Sequence, residues 1–240
     1  MPETKRNGAF ASELNGLVFD IDGVMLDSRA SNMEFYNLIR EAVRLPPLSP
    51  EEEEYCHMAS EAECLARIIP PKYREAAYEA RMKISYTVQI LPLLSLESGL
   101  PEALRWLDMW GVKLGIFTNR NKKVHELLHY FGLEDFFLPV MTASDCPPKP
   151  CPDGLVQIAA QWGETPANIA FLGDSRVDEQ AARGAGAAFW SFRNAALDAG
   201  LHVDNFFDMI TMITPLVENP GPARRPHKRR PAAEDAWDFS

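Results

Sequence analysis

The chain has no apolar run approaching the roughly 20 residues a membrane helix needs, so no membrane partner is expected. Its opening stretch, "MPETKRNGAFASELNG", is polar and lacks the apolar h-region of a signal peptide. A cytoplasmic location is the expectation. Cysteine is scarce: four residues at irregular spacings, which argues against a disulfide framework. Cys146 and Cys151 bracket "PPKP", but no second pair completes a four-ligand metal site, and they read as ordinary loop thiols. Positive charge is in the minority, with 24 Lys+Arg against 34 Asp+Glu and a formal net charge of -10. That balance argues against nucleic acid as a whole-surface partner. An anionic substrate remains admissible, because a local cation reverses the field.

What is present is enough to build a sizeable core, in one domain or two small ones: 240 residues, 46% of them hydrophobic. A monomer or homodimer is expected. In "GLVFDIDGVMLDS" the apolar Leu17, Val18 and Phe19 read as a short buried strand. The strand runs straight into Asp20 and Asp22, with Gly23 next. Buried carboxylates cost several kcal/mol unless something compensates them.

The chain then turns helical. Phe35, Leu38, Ile39, Ala42 and Val43 fall on one helix face, and Pro46 and Pro47 stop that helix. Ser49 suits an N-cap, Pro50 the first helical position, and Glu51 to Glu54 a solvated first turn. A third helical stretch is expected through "KYREAAYEARMKISYTVQILPLL", making residues 28 to about 98 wholly helical. From Gly99 onward strands and short helices alternate: "VKLGIFTNR", "FFLPVMTAS", "NIAFLGDS" and "AAFWSFR" read as strands. Alternation of this kind predicts a parallel sheet covered on both faces. The expected division is an α/β core of residues 1–27 and 99–217, a helical insert of residues 28–98, and a disordered tail of residues 218–240. The tail's "RRPHKRR" reads as solubilising rather than as a nucleic-acid patch.

Ligands of an open parallel sheet bind beyond the carboxyl ends of its strands. The polar strand endings are Asp20, Asp22 and Gly23, then Thr118 and Asn119, then Gly173, Asp174 and Ser175 with Asp178 a turn on; Lys149 lies on a loop before another helix. Together they predict a carboxylate cluster of Asp20, Asp22, Asp174 and Asp178. Its mutual repulsion is resolved by a hard divalent cation, and Mg²⁺ fits because it takes one or two carboxylates and a substrate phosphate. Lys149, the Thr118 hydroxyl and backbone N–H groups near Gly23 and Asn119 suit phosphate oxygens. Of the two neighbouring aspartates, one can attack phosphorus while the other protonates the leaving alkoxide.

These motifs carry a resemblance. "DIDGVMLDS", "IFTNR", Lys149 of "PPKPCPDG" and "FLGDSRVD" occur in the order found in the haloacid dehalogenase-like (HAD) hydrolases. The chain resembles above all the phosphoglycolate phosphatase and β-phosphoglucomutase-like branch, over residues 14 to 200. The resemblance implies an α/β, Rossmann-like parallel sheet sandwiched by helices, with the helical insert as a mobile cap hinged near Asp27 and Ser98. It implies a Mg²⁺-dependent phosphatase acting on a small phosphorylated metabolite. By position, Asp20 would be nucleophile and metal ligand. Asp22 would be general acid/base, with its backbone carbonyl on the metal. Thr118, Asn119 and Lys149 would bind the phosphoryl group, Asp174 would ligate the metal, and Asp178 would orient the cluster. The cap chooses the leaving group, and nothing in "LARIIPPKYREAAYEARMK" identifies which cations face a substrate.

Other readings compete. "HELLH" at residues 125 to 129 matches a zinc-protease pattern, but no third ligand is apparent and Val124, Leu127 and Leu128 supply helix packing. A phosphoaspartate signalling module would place its phosphorylated residue after a later strand. A sugar phosphomutase stays open within the same fold. Arg120 reads as a surface residue, and Asp145 as a turn residue.

Overall fold

The computed structural model describes residues 14–58 and 61–217. In chain order the elements are β1 (Gly16–Phe19), β2 (Leu26–Asp27), α1 (Arg29–Ala42), α2 (Pro50–Met58), α3 (Glu61–Ile68), α4 (Arg74–Lys83) and β3 (Ser95–Leu96). Then follow α5 (Leu100–Met109), β4 (Lys113–Phe117), α6 (Val124–Tyr130), β5 (Val140–Met141), α7 (Asp153–Trp162), β6 (Ile169–Gly173), α8 (Arg176–Ala185), β7 (Ala188–Phe192), β8 (Leu201–Val203) and α9 (Phe206–Val217). Two compact units emerge: Leu26–Ser95 forms one, and the described residues on either side form the other. The tail expected to be disordered, residues 218–240, lies outside the described residues, as do the first 13.

The larger unit is the expected α/β sandwich. Its six strands run parallel in the order β5-β4-β1-β6-β7-β8. β1 sits centrally, with Phe19 level with Ile116 of β4 and Leu172 of β6. Successive side chains of a strand face opposite sides, so a sheet covered on both faces needs continuous apolar strands. Val18, Phe117, Phe171 and Ile169 pack with Leu155, Ile158 and Ala159 of α7 and with Ala181 and Ala182 of α8. Phe19 instead meets Phe137 and Phe206 of α9, with ring centroids 5.7 and 6.4 Å away. The three central strands are thereby fixed, and their carboxyl ends lie side by side.

The helical unit has its own core, built from Met33, Tyr36, Ile39, Val43, Cys56, Cys64 and Ile68. Here the structure corrects the sequence reading in two places. The buried residues of α1 are Ser31, Met33, Tyr36, Ile39 and Arg40, with Val43 buried just past its end, while Ala42 is exposed. The inner face turns because Arg40 belongs inside: its guanidinium donates to the carbonyls of Pro46 (2.6 Å) and Ile68 (3.4 Å) and pairs with Glu52 at 2.9 Å. Residues 28 to 98 are also not wholly helical. α4 stops at Lys83, Ile84 is extended, and a single π-helical turn at Tyr86–Ile90 precedes a 3-10 turn at Leu91–Leu93 and strand β3. β-Branched Ile84, Thr87 and Val88 disfavour a continuous helix, and Pro92 cannot continue one.

In the α/β unit, "FFLPVMTAS" yields only the two-residue edge strand β5, since Pro139 has no N–H for a ladder. β8 and α9 occupy a stretch for which no element was expected. No helix among the described residues is long and apolar enough to cross a membrane.

Candidate active site

The site lies at the carboxyl ends of β1, β4 and β6. Asp20 directly follows β1, and its N–H still bonds to the Leu172 carbonyl at 2.9 Å, so the ladder holds its backbone in place. The chain then turns sharply, with the Ile21 carbonyl accepting from Met25 N–H at 2.9 Å and Gly23 at φ +72°. Glycine is required there twice over. The left-handed conformation disfavours other residues, and a Cβ would lie 2.0 Å from Asp174 Oδ2. Gly173 plays the matching part on β6: a Cβ there would lie 2.4 Å from that of Asp178, so its absence lets α8 start hard against the strand.

Asp178 is fully buried near the start of α8. One carboxylate oxygen accepts the Ser175 N–H at 3.0 Å and the Ser175 hydroxyl. The other meets Lys149 Nζ at 2.5 Å. The same ammonium contacts Asp20 Oδ1 at 2.8 Å. Lys149 is held in place through its main chain, because the side-chain amide of Asn119 accepts its N–H at 2.7 Å and donates to its carbonyl at 3.1 Å. Thr118 is buried, and its hydroxyl oxygen accepts the Arg120 N–H at 3.2 Å.

Asp20, Asp174 and Asp178 each bring an oxygen within 4.8 Å of the others'. Three carboxylates thus gather about one ammonium. Burial pushes Asp20 up to about 7, with Asp178 and Asp22 adding to the rise and Lys149 opposing it. Burial and Asp178 push Asp174 up to about 6. Burial works against the charge on Lys149, but Asp20 and Asp178 outweigh it and hold the ammonium above its usual range. An all-oxygen set carrying surplus negative charge fits a hard divalent cation.

The placements differ from expectation in two respects. The Asp22 carboxylate does not join the cluster. It is held by Arg120, with Nε 2.7 Å from Oδ2 and Nη2 2.5 Å from Oδ1. Arg120 is accordingly no surface residue, since its side chain is 24% exposed and spans 98 positions to reach its partner. Asn119, expected among the phosphate-binding groups, spends its side chain on Lys149. Ser175, read from the sequence only as part of a polar strand ending and given no role, and Asn194, which was not foreseen, complete the site; Asn194 donates to the Asp174 carbonyl at 2.8 Å. Ser175 carries a readable signal, a serine three residues before an acid at a helix start. Asn194 carries none. Asp145 is the turn residue expected, accepting from the Thr142 N–H and hydroxyl.

"HELLH" stays apart from this chemistry. His125 is exposed, and His129 Nδ1 pairs with Glu134 at 2.8 Å. Among the described residues, the cluster of three metal-ligating groups is the aspartate one. Cys146 and Cys151 are free thiols.

The model of the haloacid dehalogenase-like hydrolases matches residues 17–191. The chain belongs to that family. Among its relatives, the phosphoglycolate phosphatase of Cereibacter sphaeroides is 27% identical over 194 residues, covering 78% of this chain and 88% of that protein. The phosphoglycolate phosphatase of Pseudomonas putida is 37% identical over 90 residues, 37% of this chain and 33% of that protein. The match thus spans only about a third of the latter's length. A crystal structure of a HAD-superfamily hydrolase of subfamily IA from Geobacter sulfurreducens superposes with a TM-score of 0.77. It is 33% identical, over 83% of this chain and 96% of that one. The expected family and fold class are therefore those found.

Proposed function

We propose that this HAD-like hydrolase is a Mg²⁺-dependent phosphatase that cleaves a small phosphomonoester through a phosphorylated Asp20. The observation that carries the reading is the crowding of Asp20, Asp174 and Asp178 around Lys149 at the sheet's carboxyl rim, beside Thr118. Phosphatase names among the relatives support the reaction class.

In the first step an Asp20 carboxylate oxygen attacks phosphorus. The ester P–O bond breaks, and Asp22 gives its proton to the departing alkoxide. In the second step Asp22 takes a proton from water as that water attacks the aspartyl phosphate, releasing inorganic phosphate and restoring Asp20. Lys149, the Thr118 hydroxyl and the backbone N–H groups near Gly23 and Asn119 hold the phosphoryl oxygens. Asn119 also fixes the Lys149 backbone. Asp20, Asp174 and the Asp22 carbonyl would hold the Mg²⁺, with Asp178 orienting the set. When bound, the ion offsets carboxylate and phosphoryl charge and so favours attack by an anion on an anion. The helical unit, Leu26–Ser95, is assigned the part of a cap that selects the leaving group.

A panel of phosphorylated metabolites, including phosphoglycolate, hexose phosphates and nucleotides, tests the reading by released phosphate with Mg²⁺ and with a chelator. Mg²⁺-dependent release from at least one small ester is expected. Release from none, or release that the chelator leaves untouched, overturns it. Conversion of a sugar phosphate to its isomer without free phosphate would indicate a mutase instead.

A further inference from the structure

We propose that Arg120 is a positioning residue for the acid/base Asp22. This inference rests on the phosphatase reading above and deepens it. The two acids that the mechanism uses lie two residues apart on one short turn, yet their carboxylates are held by different cations. Asp20 is 2.8 Å from Lys149, and Asp22 is forked by Arg120 at 2.7 and 2.5 Å. A two-point fork fixes the plane of a carboxylate as well as its distance, which a single ammonium cannot do.

The Arg120 main chain is itself anchored. Its N–H donates to the Thr118 hydroxyl oxygen at 3.2 Å, and its carbonyl accepts the Ala143 N–H at 3.0 Å. The guanidinium therefore starts from the same rigid strand end as the residues assigned to the phosphoryl group. Its partner needs such a hold. Asp22 is half-exposed, with a side chain 48% accessible, and lies outside the Asp20, Asp174 and Asp178 cluster. Lys149, the cation of that cluster, is already shared by two carboxylates. Arg120 holds the Asp22 carboxylate in one plane, apart from that cluster.

The role predicts a dependence on the leaving group. Arg120→Met keeps the length of the chain and removes the fork. Its kcat on an alkyl phosphate, whose leaving group needs a proton, should fall about tenfold or more. Its kcat on p-nitrophenyl phosphate, whose leaving group needs none, should fall less than about threefold. Arg120→Lys should recover only part of the loss, because one ammonium cannot fork. In an Asp22→Asn background, Arg120→Met should cost little more on the alkyl ester, the mark of two residues acting as a unit. Thermal melting of each variant checks the fold. Equal losses on both esters, full rescue by lysine, or additivity with Asp22→Asn would overturn the role while leaving the phosphatase reading intact. Absence of any Asp20-dependent phosphate release from the unaltered enzyme would overturn both.

Discussion

Among the described residues, each compact unit buries one long cation, and the two are treated in opposite ways. Arg40, in the helical unit, has a side chain 7% exposed and spreads its donors over two carbonyls and one carboxylate, Glu52. Burial works against the Glu52 charge, yet the Ser49 N–H and Arg40 hold it below its ordinary range. That arrangement is balanced, as a structural one should be. Lys149, in the α/β unit, is 3% exposed and sits among Asp20, Asp174 and Asp178, two of which are pushed well above the carboxylate range. Surplus like charge at a strand end costs stability, and it persists where a ligand or ion is meant to relieve it. On the proposed reading, the difference separates a polar group that holds a core together from one that prepares a reaction.

The sharpest way to break the comparison is Asp20→Asn. Turnover should fall by about a thousandfold or more, as for loss of a nucleophile. Melting temperature should hold or rise, because one member of an overcharged cluster is neutralised. Ordinary turnover in this variant would sink the assignment. Next come the two cations themselves. Lys149→Met and Arg40→Met each strip the partner from buried carboxylates or carbonyls, and each should cost about 3–5 kcal/mol in denaturant unfolding. Only the lysine variant should also lose turnover per folded molecule. Equal activity losses in both would erase the distinction.

The acids provide a third test. Asp20 and Asp174 are raised from their ordinary 3.8 to about 7 and about 6. A folded state that holds protons more tightly than the unfolded chain is favoured at low pH. In metal-free protein this contribution is complete below about pH 4 and is lost as pH rises through 6 to 7. A divalent cation competes with those protons. The rise in melting temperature on adding Mg²⁺ should therefore be larger at pH 8 than at pH 5.5. A rise independent of pH, or larger at pH 5.5, would show that the ion binds elsewhere.

Much of the rim was readable because its chemistry is local. β1, β4 and β6 are apolar runs that stop at Asp20, Thr118 and Asp174, and strand direction alone brings such ends together. The partners of those groups were not readable. Arg120 meets Asp22 across 98 positions and Asn119 meets Lys149 across 30, and no periodicity encodes either pairing. The need for Gly23 was only half visible: its turn is marked in sequence, but its approach to Asp174 exists only after β6 pairs with β1. In the helical unit the apolar period located α1 but misjudged its inner face, since counting arginine as a surface residue hides a buried Arg40.

The smallest effects should come from two serines at comparable helix starts, one in each unit. Ser49 precedes α2, where its hydroxyl oxygen accepts the Glu52 N–H at 3.3 Å and the Glu52 carboxylate accepts the Ser49 N–H at 2.9 Å. Ser175 precedes α8 and donates its N–H and hydroxyl to Asp178. Replacing either by alanine should cost about 1 kcal/mol, the usual worth of such a cap. Loss of the Ser49 hydroxyl leaves Glu52 still paired with Arg40, and kcat should not move. Loss of the Ser175 hydroxyl removes one of the two Ser175 donors to the buried carboxylate that meets Lys149, leaving the N–H. The Mg²⁺ concentration for half-maximal rate should then rise about tenfold, as when a group supporting a metal ligand is removed. Equal stability losses with unequal Mg²⁺ dependence would separate holding a helix from holding a site; matching Mg²⁺ curves would reduce Ser175 to a cap.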